Sequence, residues 1–594
     1  MKKTLFALLL AATSILAVQA AAPSILPFKD VRPGMKCSAR TVFRGTEIET
    51  FQVEILGTLA NIGPDQDLIL GRCTGGPLAD TGVVAGMSGS PVFMEGKLIG
   101  AIAYSWGFSK EAIAGITPIE EMLAVLAIDE KASSPSPSRS AAPSDLAPLR
   151  SPEKVDAFFS HELTSLLPRP AAAAPISLPL AVSGFGADAL AWIAPGLIRA
   201  GFLPVQAAAA GSGPSESLPL EPGSPVGVKL VRGDVDMTAI GTVTWVDGKR
   251  LLAFGHALYG LGMVDLPLTG ARVEAILPSL QQSMRLATPL AEVGAFKQDR
   301  SSAILGHLGA TPRMIPIRVQ YTDRGGGRRA YAFDVADDPL LAPVLLYTSL
   351  KGILESRERT FGDITLRLRE GSVIKMDGQE DVELDNLFSG ATATNFATGL
   401  SAYILHLLMN NEWLTPKVSG VNLILEYEPE PRTGAIQRVT LDRFRVKAGD
   451  SVMATVVVSP FRGPELVLTR EIDIPPETPP GRLVLYVGDA MAVNRQDADE
   501  GRIQPRALGQ LIRLINQLRR NDRVYIVASR DDSGVFLGGA RLPNLPPSVT
   551  SVLARPRSLG NYAVIPQRGI LEEEIPTGYA VEGLARIQLE VQAR

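Results

Sequence analysis

Apolar and polar positions along the chain fall into stretches of period two and stretches of helical period. Phe51-Gln52-Val53-Glu54-Ile55 alternates strictly and predicts a half-buried strand, with Asp67-Leu68-Ile69-Leu70 as the next one. Thr81 to Ala101 predicts a strand, a tight glycine turn, a second strand, a two-residue turn at Glu95-Gly96 and a third strand. Ile119 to Leu126 has helical spacing and closes this first unit. A second strand-rich block begins near Val226, with strands at Val228–Leu230, Ile240–Val246 and Leu251–Phe254, the last two joined by Asp247-Gly248. Shorter strands are predicted at Gly294–Phe296, Ser302–Gly306 and Met314–Val319. Helices are predicted near Val155–Phe159, Ala187–Ile193 and Ala397–Met409, and as an amphipathic stretch over 506–520 ahead of a strand at Val524–Val527. After Val418 the alternation at Val421–Leu425, Arg438–Asp442 and Val452–Val458, with turns roughly every 8–12 residues, predicts a β-sandwich.

Composition sharpens the divisions. Glycine (56) and proline (45) together are about a sixth of 594 residues, which suits a turn-rich, mainly β protein with some α. Ser, Pro and Ala dominate 131–152, a linker, and Gly211-Ser212-Gly213-Pro214 is a second break. The expected units are 21–130 (first β unit), 153–215 (helical connector), 216–320 (second β unit), 321–417 (mixed α/β), 418–490 (sandwich) and 491–594 (small α/β).

Residues 1–20 read as a secretory signal peptide. Lys2-Lys3 precede an apolar run from Leu5 to Val18, and Val18-Gln19-Ala20 offers the cut site. The expected location is therefore outside the cytoplasm, periplasmic or secreted, with no membrane span in the mature chain. A net charge of −4 excludes a global basic field, so nucleic acid is not an expected partner. The two cysteines, Cys37 and Cys73, are candidates for one disulfide in an oxidising compartment.

The segment Gly86-Met87-Ser88-Gly89-Ser90-Pro91 places a serine between glycines at a turn. Glycines admit strained dihedrals and close approach of a substrate carbonyl, and the N–H groups of Gly86 and Ser88 are placed to meet a developing oxyanion. Ser88 is the candidate nucleophile and Ser90 the alternative. A serine needs a base, most often histidine. The chain has four, His161, His256, His307 and His406, all after Ser88. His256 ends a predicted hairpin in Ala253-Phe254-Gly255-His256-Ala257 and is the best placed. His307 is a reserve, His161 sits beside a linker, and His406 lies on an apolar helical face. Asp80, Asp265 and Asp299 are candidate orienting acids. No Cys-x-x-Cys, His-Glu-x-x-His or P-loop lysine is present, so neither metal nor other cofactor is expected.

The serine turn looks like that of chymotrypsin-like serine proteases. Together with Gly96-Lys97-Leu98-Ile99-Gly100-Ala101 it is similar to the serine motif of SpoIVB-type peptidases, the stage IV sporulation protein B family. Asp236 to Thr244 followed by Leu252-Ala253-Phe254-Gly255-His256 resembles the family's histidine segment. The resemblance implies a chymotrypsin-like double β-barrel core built from two separated segments, with Ser88 as nucleophile, His256 as general base and a protein or peptide as substrate. The family places the histidine segment first; here the order is reversed, which implies a circularly permuted double barrel. The C-terminal β units are the expected contact for substrate or a cell-envelope partner. Two rival expectations are a non-catalytic exported scaffold that keeps the fold, and a protein limited to self-cleavage.

Overall fold

Of the first three strands, the second and third form where the apolar pattern predicts them, and the first has no predicted counterpart. The strand expected from Thr81 into the glycine turn is instead the end of a short helix, Leu78–Thr81, followed by a hydrogen-bonded turn. β1 (Lys36–Thr41), β2 (Glu49–Gly63) and β3 (Gln66–Thr74) form a meander, and Phe51, Val53 and Ile55 of β2 all point inward. β4 (Pro91–Met94) and β5 (Lys97–Ser105) are joined at Glu95-Gly96, both with positive φ (50° and 79°), the geometry of a tight hairpin turn. β6 (Ile113–Pro118) pairs β3 and β5, and the β4–β1 and β4–β5 pairings close the ring β4-β1-β2-β3-β6-β5 into a six-stranded barrel. Its core gathers Val53, Ile55, Ile69, Val92, Ile102 and Ile116.

The structure is a computed structural model and describes residues 24–128, 149, 152–165, 174–207, 218–323, 325–355, 362–499, 505, 507–530, 534–537, 540–543, 546–553, 562–565 and 568–593. The expected signal peptide, most of the 131–152 linker and the 211–214 break lie outside them.

The chain then passes through the helix Pro152–Ser165, β7 (Ala174–Pro175), β8 (Leu178–Ser183), the helix Ala187–Arg199 and β9 (Phe202–Gln206). β10 (Pro225–Gly233), β11 (Asp236–Asp247), β12 (Arg250–Ala253), β13 (Gly262–Leu277), β14 (Met284–Arg300) and β15 (Ala303–Leu308) make a second ring, β10-β13-β14-β15-β12-β11, closed by the β10–β11 pairing. Two closed six-stranded antiparallel rings side by side are the chymotrypsin-like double barrel, here with the serine barrel first. Phe93, Leu98, Ala101 and Met122 of the first meet Trp245, Leu252, Ala303 and Leu305 of the second in one apolar cluster. β13 and β14 are long enough to continue past their barrel as an arm over the first one, where Gly45 and Val273 exchange backbone hydrogen bonds of 2.6 and 2.9 Å.

The second barrel's sheet extends through strands Met314–Thr322 and Arg328–Ala336, covered by the helices Leu341–Glu355 and Ala393–Met409. The expected sandwich boundaries, 418–490 and 491–594, are not those observed. Val418–Glu428 pairs in parallel with Met314–Thr322 and so belongs to this extended sheet. The sandwich instead packs a sheet of Thr433–Leu441, Ser451–Pro460, Leu466–Asp473 and Ala580–Glu582 on one built from Arg445–Lys447, Gly481–Gly488, Arg523–Arg530, Arg568–Pro576 and Leu584–Gln592. Alternation marks a strand but carries no information on which remote strand it will pair with.

Candidate functional site

From Ala85 to Ser90 every backbone carbonyl of the turn accepts a hydrogen bond, and most of the N–H groups donate one. Met87 N–H donates to Val84 O (3.0 Å), Gly89 N–H to Ile102 O (2.7 Å) and Ser90 N–H to Met87 O (2.9 Å). Among the described residues the N–H groups of Gly86 and Ser88 have no partner. The planes of the peptides they belong to are fixed from the carbonyl side. Ala85 O accepts from Arg285 N–H (3.1 Å), which turns the Gly86 N–H the other way. Met87 O accepts from Ser90 N–H and from Ser90 Oγ (2.9 and 2.7 Å), which does the same for Ser88 N–H. Gly86 has φ +95°, in the region that favours glycine.

Arg285, at the start of β14, is fully buried, and among the described residues it faces no carboxylate. Its Nη1 donates to Gly86 O at 2.7 Å and to Thr242 Oγ1 at 3.1 Å, and its Nη2 donates to Thr41 Oγ1. Thr242 Oγ1 donates to Gly86 O at 2.9 Å. Burial pushes the guanidinium down to about 9, which still leaves it charged at neutral pH. A buried cation thus grips the carbonyl next to the two free N–H groups, and it comes from the other barrel.

Ser88 Oγ is buried with no hydrogen-bond partner, and so is His256 Nε2. His256 follows β12 after Phe254 and Gly255, whose positive φ values (72° and 70°) reverse the chain as it leaves the strand. Its Nδ1 lies 2.7 Å from Ala257 O. A carbonyl only accepts, so this bond puts the proton on Nδ1 and leaves the Nε2 lone pair open. Burial lowers the imidazole to about 4, so the ring is neutral in this state.

The three candidate acids go to three places. Asp80 is exposed in the short helix Leu78–Thr81. Asp265 pairs with Lys297 at 2.5 Å. Asp299 is buried and accepts the N–H groups of Leu258, Tyr259, Gly260 and Leu261 at 2.8, 2.9, 2.8 and 3.2 Å. It holds the loop that follows His256, so it steadies Ala257 O and through it the ring. Burial still holds this carboxyl above the usual carboxylate range. Among the described residues no carboxylate bonds His256 Nδ1 itself.

The alternative nucleophile is saturated: Ser90 Oγ also meets Thr41 Oγ1 at 3.0 Å. His406 stacks on Tyr403 and its Nδ1 meets Asn410 Nδ2 at 3.2 Å, a packed helix residue. His161 is exposed, and His307 stands on β15 opposite Arg250 of β12. The expected disulfide is absent, because Cys37 and Cys73 are free. Both face Val53 from opposite sides of β2, which puts them two strand spacings, roughly 10 Å, apart, beyond bridging reach. Burial pushes their thiols to about 11 and about 12.

The serine and histidine segments meet at the barrel junction. Thr242 N–H donates to Ser88 O (2.8 Å), Phe254 N–H to Thr242 O (3.2 Å), and Thr117 Oγ1 to Gly255 O (2.7 Å). A methyl on Gly89 would lie 1.9 Å from Thr242 O and 2.6 Å from Phe254 N, so only glycine fits there. Beside the turn lies a cleft of about 470 Å³, bordered by Thr81–Val83, Ser105–Gly107 and Ser279–Ser283. Thr242 falls within the Asp236 to Thr244 segment that carries the resemblance but has no role assigned there, and Arg285 is not singled out in the sequence at all. Nothing local marks what either does, because each acts on a turn more than 150 residues away.

Residues 17–123 match the family described as SpoIVB peptidase S55. No curated protein and no solved structure matches the chain.

Proposed function

Starting from a chain related to SpoIVB-type serine peptidases over residues 17–123, we propose an exported endopeptidase that works through Ser88 and His256. Ser88 Oγ attacks the carbonyl carbon of a peptide bond while His256 Nε2 takes the hydroxyl proton. The oxyanion receives the N–H groups of Gly86 and Ser88. Collapse breaks the C–N bond, Nε2 passes its proton to the leaving amine, and an acyl ester remains on Ser88. Water, deprotonated by the same nitrogen, splits the ester into a carboxylic acid and free serine. Ala257 O, held by the loop that Asp299 caps, orients the ring in place of a directly bonded acid.

One observation supports the reading most: between Ala85 and Ser90, among the described residues, every backbone carbonyl and every other N–H is bonded while Gly86 N–H and Ser88 N–H are not, and Ser88 Oγ and His256 Nε2 are unpartnered as well. A peptidase acts on proteins, and no helix among the described residues is long and apolar enough to cross a membrane. A non-catalytic scaffold is the rival, favoured by the missing carboxylate at Nδ1. Hydrolysis of an unfolded protein such as casein by the full chain tests the choice. Ser88→Ala and His256→Ala should each lower turnover by at least about 10³-fold. Turnover unchanged in Ser88→Ala would discard the assignment.

A further inference from the structure

The site is shut. Ser88 is 0% exposed and His256 3%, so no polypeptide reaches Oγ unless something moves. The chain between the barrels lies along the turn. β7 pairs antiparallel with the end of β5, Ala174 opposite Ser105 and Pro175 opposite Tyr104, and Ile176 N–H donates to Ala103 O at 2.9 Å. The nucleophile turn uses the same strand one residue earlier, where Gly89 N–H donates to Ile102 O and Ile102 N–H to Ser90 O. A segment extended on this edge therefore runs beside the turn. It next carries Pro179 against Gly86, where an added methyl would lie 3.2 Å from the proline ring. From Leu178 the chain is anchored in β8, which pairs β9 and β11 of the extended second-barrel sheet.

The hold on β5 is short. Only two residues pair in register, and Ile176, 1% exposed in the first barrel's core, is the apolar anchor. Pro175 and Ser177 on either side border the cleft of about 470 Å³. A strand edge with unmet N–H and C=O groups accepts any extended backbone. Here the protein's own chain fills it.

We propose that Ala174–Pro179 is an intramolecular strap seated where an extended peptide substrate pairs, and that substrate gains Ser88 only when residues 174–177 lift from β5. The proposal rests on the peptidase reading for its purpose but not for its test. An incoming strand takes over the Ala103–Ser105 backbone groups that the strap gives up, so binding substitutes one pairing for another.

Two measurements on the full chain decide it. In hydrogen exchange, the Ile176 amide should exchange by local opening, at least about 100-fold faster than that of Val53 inside the first barrel. Equal rates would mean that the strap leaves only when the barrel unfolds, and would overturn the proposal. In Ser88→Cys, alkylation of the introduced thiol by iodoacetamide should accelerate at least about tenfold when Ile176→Asp is added, and less with the milder Ile176→Ala. Cys37 and Cys73, both buried, report general unfolding: if Ile176→Asp exposes them too, Ile176→Ala supplies the answer. An alkylation rate at the introduced thiol unaffected by Ile176→Ala in a folded chain would also overturn the strap. Neither readout needs catalysis. A strap that lifts over a Ser88 inert to a fluorophosphonate would stand, while the peptidase reading would fall.

Discussion

Ser88 and Ser90 are two residues apart and equally buried, yet one hydroxyl is free and the other makes two hydrogen bonds. Ser90→Ala should therefore act through stability and the set of Met87 O, costing about 1–3 kcal/mol in denaturant unfolding while leaving a reactive Ser88. Arg285 predicts the converse. Arg285→Met removes the grip on Gly86 O, and under the proposed mechanism, in which the neighbouring N–H groups act on the oxyanion, kcat should fall roughly 10- to 100-fold with KM little changed. A parallel rise in KM alone would make Arg285 a structural residue only. His256 gives a pH test. Its folded value of about 4 lies below the usual 6.5, so between those values the unfolded chain binds a proton that the folded chain does not. Stability should therefore fall as pH drops from about 6.5 towards 4. His406, also lowered to about 4, adds to the same trend. In urea unfolding at pH 7 and pH 5, His256→Gln should lose less stability than wild type; an equal loss would contradict the burial of a neutral ring. At this scale the glycine turn around Ser88 and the hairpin that ends at His256 were legible, because tight turns need glycines locally. Arg285 and the loop-capping use of Asp299 were not, since a hydrogen bond to a remote backbone leaves no local pattern.

Among the elements, most barrel strands were legible from their apolar runs and flanking turns, whereas β1, β6 and β13 were not expected. The pairing of β13 with β14 is broken by several register shifts, as befits an arm that leaves one barrel and bends over another. That arm is what brings Arg285 and Ser283 to the serine turn, Ser283 Oγ donating to Thr81 O at 2.7 Å. The barrel junction has its own test at Gly89. Gly89→Ala meets the Thr242 carbonyl and must hold φ +97°, so it should cost about 3 kcal/mol or more, read as a lower melting temperature. A stable Gly89→Ala would mean that the two segments are not pressed together there.

For the whole molecule, the order of the two barrels along the chain decides how they are connected. With the serine barrel first, the chain leaving it must cross to the histidine barrel, and it does so along the β5 edge and past Gly86. That route follows from tertiary pairing alone, which is why 153–215 reads in sequence only as a helical connector. The C-terminal sandwich draws strands from both sides of the expected boundary at 490 for the same reason. The proposed activation of Ser88 by His256 is tested most directly by a fluorophosphonate probe on the full chain, with and without Ile176→Ala, the modified residue located by peptide mass spectrometry. Label on Ser88, lost in Ser88→Ala and His256→Ala and kept in Ser90→Ala, is the expected result. No label on a folded chain in either background, or label that survives His256→Ala undiminished, would contradict a serine activated by His256.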